Sequence, residues 1–320
     1  MKYLPISHII NATILHLNTM KGILVYTILA LTLTLTGCDS QQQNIQTGKL
    51  DNEKPLQIVT SFYPLYEIAH QIGGNTITVK NMVPGGTEPH DYEPTPRDII
   101  DMREASIVIY NGLGLEPWEN KIIPDLEKNS VSTLKMSDFF KNDIIGNDPH
   151  FWLDPENYSR EIEIIGAKII ELDPAHADLY EKNMETYKAE LQILNTSYRD
   201  NLKTCKFDTF ITNHGAFAYL AKRYHLNIIP IAGLSPDIEP SPKTMSDITK
   251  TIRQKGIRYI LTETLVSQKI ANTIAESSGA KTLILNPLEG LTNKEISEGK
   301  NYISTMKENL LSLQIALECR

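Results

Sequence analysis

Pro84-Gly85-Gly86-Thr87-Glu88-Pro89-His90-Asp91-Tyr92-Glu93-Pro94-Thr95-Pro96-Arg97 is the stretch on which the reading of this chain turns. The run before it, Ile77 to Val83, alternates in polarity and predicts a strand. The run after it, Asp98-Ile99-Ile100-Asp101-Met102, predicts the start of a helix. A strand that passes into a helix through a tight loop is the opening of a βαβ unit. The prolines and the Gly85-Gly86 pair restrict the loop around a single imidazole, His90. Metal ligation needs a side chain held in this way. A lone loop histidine is, however, more often an exposed residue with no role, so the rest of the chain has to decide.

Outward from this loop the alternation continues. Leu56 to Ser61 predicts a strand and Leu65 to Ile72 a helix, ended by Gly73-Gly74. Ser106 to Tyr110 predicts a third strand and Trp118 to Lys128 a helix. From Glu156 the period changes to 3.6. One helix runs to Leu172, Asp173-Pro174 breaks it, and a second runs from about Pro174 to Leu202 with Leu179, Met184, Tyr187, Leu191 and Leu194 at three- or four-residue steps. That helix has no glycine and no internal proline, which predicts a stiff spine on the order of 40 Å long.

The alternation then resumes. Strands are predicted at Phe207 to Thr212, Leu226 to Ile231, Ile257 to Thr262 and Lys281 to Leu285. Helices follow them at Ala216 to Tyr224, near Thr244 to Lys255, at Gln268 to Ser277 and at Glu298 to Leu317. The fold class is therefore α/β: two Rossmann-like lobes with parallel sheets, joined by one long rigid helix. The boundaries read as an N-terminal lobe over 54–172, a linker helix over 173–204 and a C-terminal lobe over 205–320.

Ahead of the lobes, residues 1–37 read as leader and signal peptide, and 38–53 as a flexible polar tether. Met20-Lys21-Gly22 and the apolar run Ile23 to Leu35 lead into Leu35-Thr36-Gly37-Cys38, which resembles a bacterial lipobox with Cys38 as the lipidated residue. The apolar run is shorter than the ~20 residues that a spanning helix needs. A plain membrane anchor would place the domain on the same side. Translation from Met20 rather than Met1 would leave this signal intact. A single acyl chain holds only marginally, so stable attachment implies multiple acylation of Cys38.

About 280 residues remain after processing, enough for two modest cores. Removing Lys2 and Lys21 leaves 29 of the 31 basic residues against 39 acidic ones, a net charge of −10. That excludes nucleic acid as a natural partner and suits attraction of cations. Cys205 and Cys319 can pair in an oxidising compartment, but their sequence positions leave the pairing open.

Four residues share one context. His90, His150, His214 and Glu289 each lie in a loop flanked by proline or glycine, and His90, His214 and Glu289 directly follow strands. In open α/β sheets ligands bind beyond the carboxyl ends of the strands. Three imidazoles and a carboxylate meeting there would make an ordinary tetrahedral Zn²⁺ set. Each residue also has an ordinary reading: His150 packed before Phe151-Trp152, His214 capping a helix at Gly215, Glu289 a solvated turn. The spacings of 60, 64 and 75 residues fit no short zinc signature. Glu263, after another strand, is a reserve carboxylate or a residue that orients a ligand. His70, His176 and His225 read as unremarkable.

The segments Gly85-Gly86-Thr87-Glu88-Pro89-His90-Asp91-Tyr92-Glu93-Pro94, His150-Phe151-Trp152-Leu153-Asp154-Pro155, Thr212-Asn213-His214-Gly215-Ala216-Phe217 and Asn286-Pro287-Leu288-Glu289 resemble the metal-binding lipoproteins that feed ABC importers of zinc and manganese. The resemblance runs from about Leu56 to the C-terminus. It implies two lobes on one rigid helix, with His90, His150, His214 and Glu289 as ligands. His214 with Glu289 resembles the zinc branch; manganese members usually carry Glu and Asp at those places. One departure is clear: Ile122 to Asp148 contains no histidine, where many zinc members carry a His-rich loop.

The expectation is an extracytoplasmic solute-binding protein, lipid-anchored through Cys38 and monomeric. It captures Zn²⁺ and passes it to an ABC permease and its ATPase without covalent chemistry. Manganese or iron uptake by the same architecture, a secreted zinc hydrolase and a surface adhesin are the alternatives. No HExxH sequence supports the hydrolase. Binding needs neutral imidazoles, so affinity should fall as the pH drops through about 6.5. A stiff spine predicts little lobe closure on binding.

Overall fold

The computed structural model describes residues 55–236 and 238–320; the signal, Cys38 and tether readings lie outside them. The first sheet contains β1 (Leu56–Thr60), β2 (Ile77–Asn81), β3 (Ile107–Tyr110) and β4 (Ser132–Lys135) in the order β2-β1-β3-β4. The second contains β5 (Thr209–Thr212), β6 (Asn227–Pro230), β7 (Tyr259–Thr262) and β8 (Lys281–Ile284) in the order β6-β5-β7-β8. All pairings are parallel, so every connection crosses over. The two orders are the same, and each sheet has its switch point beside its first strand, between β1 and β3 and between β5 and β7.

The crossovers are α1 (Tyr63–Gly73), α2 (Pro96–Glu104) and α3 (Glu119–Lys128) in the first half, then α4 (Pro155–Leu172) and α5 (Ala177–Leu202) between the sheets. The second half has α6 (Ala218–Arg223), α7 (Pro242–Lys255), α8 (Lys269–Ser278), α9 (Asn293–Ser297) and α10 (Tyr302–Leu317). Among the described residues no helix is long and apolar enough to cross a membrane.

Several boundaries move for local reasons. α2 begins at Pro96, two residues earlier than expected, because Thr95 and Asp98 close a reciprocal capping box. The last predicted helix, from Glu298, begins later, as α10 at Tyr302, and α9 ahead of it at Asn293–Ser297 was not predicted; each has its own capping box, from Asn301 and from Thr292. Strand β4 has no sequence signal to match: Ser132-Thr133-Leu134-Lys135 carries one apolar residue, and its pairing with β3 is what makes it a strand. The stiff helix α5 is 26 residues, about 39 Å. Tyr187, Leu191 and Leu194 are buried on it as expected, but Leu179 is exposed. A short 3-10 turn, Pro174–His176, precedes it.

α5 packs on α4 and α1 from the first half and on α10 from the second. Its approach to α4 is close because Gly166 leaves room: a Cβ there would lie 2.2 Å from Met184 Sδ. The main hydrophobic cluster is continuous from Ile58 through Trp152, Tyr187 and Tyr198 to Leu317. Both sheets therefore share one core. Cys205 and Cys319 form a disulfide that ties the end of α5 to the C-terminus. Phe207 N–H donates to Leu317 O at 3.0 Å beside it.

Candidate metal centre

Each half sends loops from the carboxyl ends of its strands toward the other. His90 follows β2, within the 3-10 turn Pro89–Asp91. His150 caps the 3-10 turn Phe151–Leu153 that leads into α4. His214 follows β5, and Glu289 follows β8. All four expected residues meet. Each offers a ligand atom, and these atoms lie within 4.8 Å of one another.

The separations are informative. His150 Nε2 lies 2.9 Å from Glu289 Oε1, 3.3 Å from His90 Nε2 and 3.4 Å from His214 Nε2. Glu289 Oε1 lies 3.3 Å from His90 Nε2 and 3.2 Å from His214 Nε2. A tetrahedron whose corners lie about 2.0–2.1 Å from a central zinc ion has edges of about 3.3–3.4 Å. Five of the six edges therefore lie near the spacing for one such ion, and the sixth, between His90 and His214, is within 4.8 Å.

The electronic arrangement agrees. Asp148 Oδ1 accepts His150 Nδ1–H at 2.7 Å, and Glu263 Oε1 accepts His214 Nδ1–H at 2.6 Å. Each bond leaves the Nε2 lone pair facing the centre in the neutral ring. Lone pairs converging with a carboxylate repel one another unless a cation or protons sit among them. Glu289 Oε2 is buried without a hydrogen-bond partner among the described residues.

Burial pulls the pKa of His214 down, but the charges of Glu263 and Glu289 outweigh it and hold the ring well above the usual histidine range. For His150, burial is likewise outweighed by Asp148 and Glu289, and its pKa is raised. Glu289 is held well below the carboxylate range, because His214 and His150 overcome its burial. Glu88 is pushed up to about 9 by burial and then by the charge of Glu289.

The loops are fixed in several ways. Gly86, with φ +82°, donates its N–H to Leu291 O at 2.9 Å, which ties the His90 loop to the Glu289 loop. Trp152 Nε1–H donates to Pro287 O at 2.9 Å, and Tyr302 O–H to Trp152 O at 2.7 Å. Leu288 is a buried leucine at φ +59°, a costly conformation. Asn286 holds it there by accepting Leu288 N–H at 2.8 Å, and Asn309 holds Asn286 through both backbone groups. On the far side, Arg223 pairs with Asp154 and Glu156.

Glu289 is no solvated turn, being 1% exposed, and the helix after His214 is capped at Phe217; His150 is packed as its ordinary reading has it, but its Nε2 also faces Glu289, and His90 is partly buried. Glu263 does not join the four; it holds His214. Sequence reasoning did not single out Asp148 or Glu88. A signal was present, because Glu88-Pro89-His90 and Asp148-Pro149-His150 share one acidic-Pro-His pattern. In each, the acid accepts the backbone N–H of the histidine two residues on, at 3.2 and 2.9 Å.

Fold and chamber together define a class: a paired-sheet α/β binding protein with an enclosed, cation-sized donor set. More particularly, residues 58–316 match the model of the family described as zinc-uptake complex component A, periplasmic (ZnuA), and the chain belongs to that family. The high-affinity zinc uptake system protein ZnuA of Bacillus subtilis is 36% identical over 315 residues, covering 92% of this chain and 97% of its own length. The zinc-bound ZnuA-like domain of Streptococcus pneumoniae AdcA superposes with a TM-score of 0.72 at 37% identity, over 82% of this chain and 99% of that domain. The whole of AdcA is longer, and this chain spans 58% of it. The laminin-binding protein of Streptococcus agalactiae, described as having adhesin and metal-transporting activity, superposes with a TM-score of 0.75 at 33% identity, over 82% of this chain and 99% of that one.

Proposed function

We propose that this protein captures Zn²⁺ outside the cytoplasm on His90, His150, His214 and Glu289 and delivers it to an ABC permease driven by an ATPase. One observation carries this reading: four donor atoms within 4.8 Å of one another, three of them on buried residues, with two rings turned so that their lone pairs face the centre. Three imidazoles favour the borderline-soft Zn²⁺ over the harder Mn²⁺. Four protein donors leave no open position for a nucleophilic water, which supports carriage of the ion over hydrolysis.

In this reading 54–172 and 205–320 are the two lobes that enclose the ion, and 173–204 is the spine between them. Cys38 carries the lipid anchor, 38–53 is the tether, and the protein acts as a monomer on the outer face of the membrane.

The test is metal content and competition on the purified protein, wild type against His214→Ala. One Zn²⁺ per chain that resists excess Mn²⁺, with strong weakening in the variant, is the expected result. Manganese retained with His214 dispensable would refute both the ligand set and the cation.

A further inference from the structure

Resting on that ligand set, we propose that Glu263 is a charged positioning residue: it makes His214 a stronger donor and so helps set the preference for zinc over manganese. One oxygen, Oε1, accepts both His214 Nδ1–H at 2.6 Å and His214 N–H at 3.3 Å. Ring and backbone are thereby locked to one acceptor. The other oxygen, Oε2, is buried and has no hydrogen-bond partner among the described residues. The residue is 2% exposed.

A carboxylate left half unsatisfied in the interior is costly unless its charge is used. Among the described residues the one acidic proton it contacts is that of the imidazole. A short bond between an ionised carboxylate and Nδ1–H shifts electron density onto the ring and raises the donor strength of Nε2. The fold supplies the pairing directly. β5 and β7 are neighbours, with Thr212 opposite Leu261, and Asn213 N–H donates to Leu261 O at 3.0 Å. The residues just past the two strand ends, His214 and Glu263, are thus brought side by side.

The arrangement is repeated at a second ligand. Asp148 Oδ1 accepts both Nδ1–H and N–H of His150, at 2.7 and 2.9 Å, and its Oδ2 is again buried without a partner among the described residues. At His90 it is incomplete. Glu88 accepts the backbone N–H, but among the described residues His90 Nδ1 makes no hydrogen bond. Two of the three imidazoles are therefore braced by charge. Zinc benefits from a stronger nitrogen donor more than manganese does.

Glu263→Gln keeps an acceptor of the same shape and removes the charge; Asp148→Asn does the same at His150. Zinc and manganese affinities would be measured by chelator competition on the full chain, with His214→Ala alongside, and the Nδ1–H proton would be followed by NMR in the zinc-loaded protein. E263Q is expected to weaken zinc roughly 10- to 100-fold, to weaken manganese less, and to move the Nδ1–H resonance upfield with the melting temperature held. D148N should act in the same direction. Zinc affinity unchanged in E263Q while His214→Ala is weakened would overturn the role of Glu263 alone, as would equal losses for both cations. Zinc affinity unchanged in His214→Ala would overturn the ligand set itself.

Discussion

Removing the Cys205–Cys319 cross-link should cost stability without touching the metal chamber. The bond closes a loop of 114 residues that holds the whole second sheet. In the chain-entropy account the loss is −2.1 − 1.5R ln n, or about 16 cal/mol/K for this loop, which is about 4.8 kcal/mol at 25 °C. For a folded body of this size that corresponds to a fall in melting temperature on the order of 8–10 °C. Some of the register survives the loss, because Phe207 N–H still reaches Leu317 O and Arg320 N–H still reaches Thr204 O at 3.1 Å. The measurement is urea unfolding of the wild type against the Cys205→Ser/Cys319→Ser double variant, with zinc affinity determined on both. The reasoning predicts a lower midpoint, an increased slope from a less constrained unfolded chain, and the same zinc affinity. An unchanged midpoint would refute it. Zinc affinity falling with the cross-link would show that the C-terminal tie reaches the chamber.

Trp152→Phe keeps most of the ring packing against Phe62 but leaves the carbonyl of Pro287 without its donor. The expected cost is about 1–3 kcal/mol of stability, with weaker zinc binding because His150 and Glu289 each lie two residues from that bond; unchanged zinc affinity would count against it. Asp98 is held at about 2: Lys80, Thr95 and Tyr92 outweigh the effect of its burial. A depressed carboxylate stabilises the fold above its unfolded pKa, and this contribution is lost as the pH falls from about 4 toward 2. Discounted for the exposure of its partner Lys80 it is ~1–2 kcal/mol, and Asp98→Asn should flatten the pH dependence of unfolding in that window. Stripping zinc from protein held at 100 times the dissociation constant should cost about 2.7 kcal/mol, a fall of about 5 °C in melting temperature. The scattering profile should barely change, because α5 packs on helices of both halves.

Much of this protein was legible in its sequence. Alternating apolar runs and 3.6-residue periodicity mark seven of the eight strands and the long helix, because burial of one face writes itself into residue spacing. The proline- and glycine-bounded loops marked the four residues that come together for the same local reason, since a constrained loop needs those residues wherever it occurs. Strand β4 was not legible: a short strand with one apolar residue exists only through the neighbour it pairs with. Nor was the Cys205–Cys319 bond, which depends on where two residues 114 apart come to rest. For Glu263 the sequence left two readings open, a reserve carboxylate or a residue that orients a ligand, and the tertiary structure supplied its partner. Forty-nine residues separate it from His214, and only the parallel register of β5 and β7 sets its oxygen 2.6 Å from that ring. Sequence by itself determined which side chains were held and what chemistry they offered. Folding decided which of them met, because convergence at a single point is a property of strand order and packing, and no local spacing encodes it.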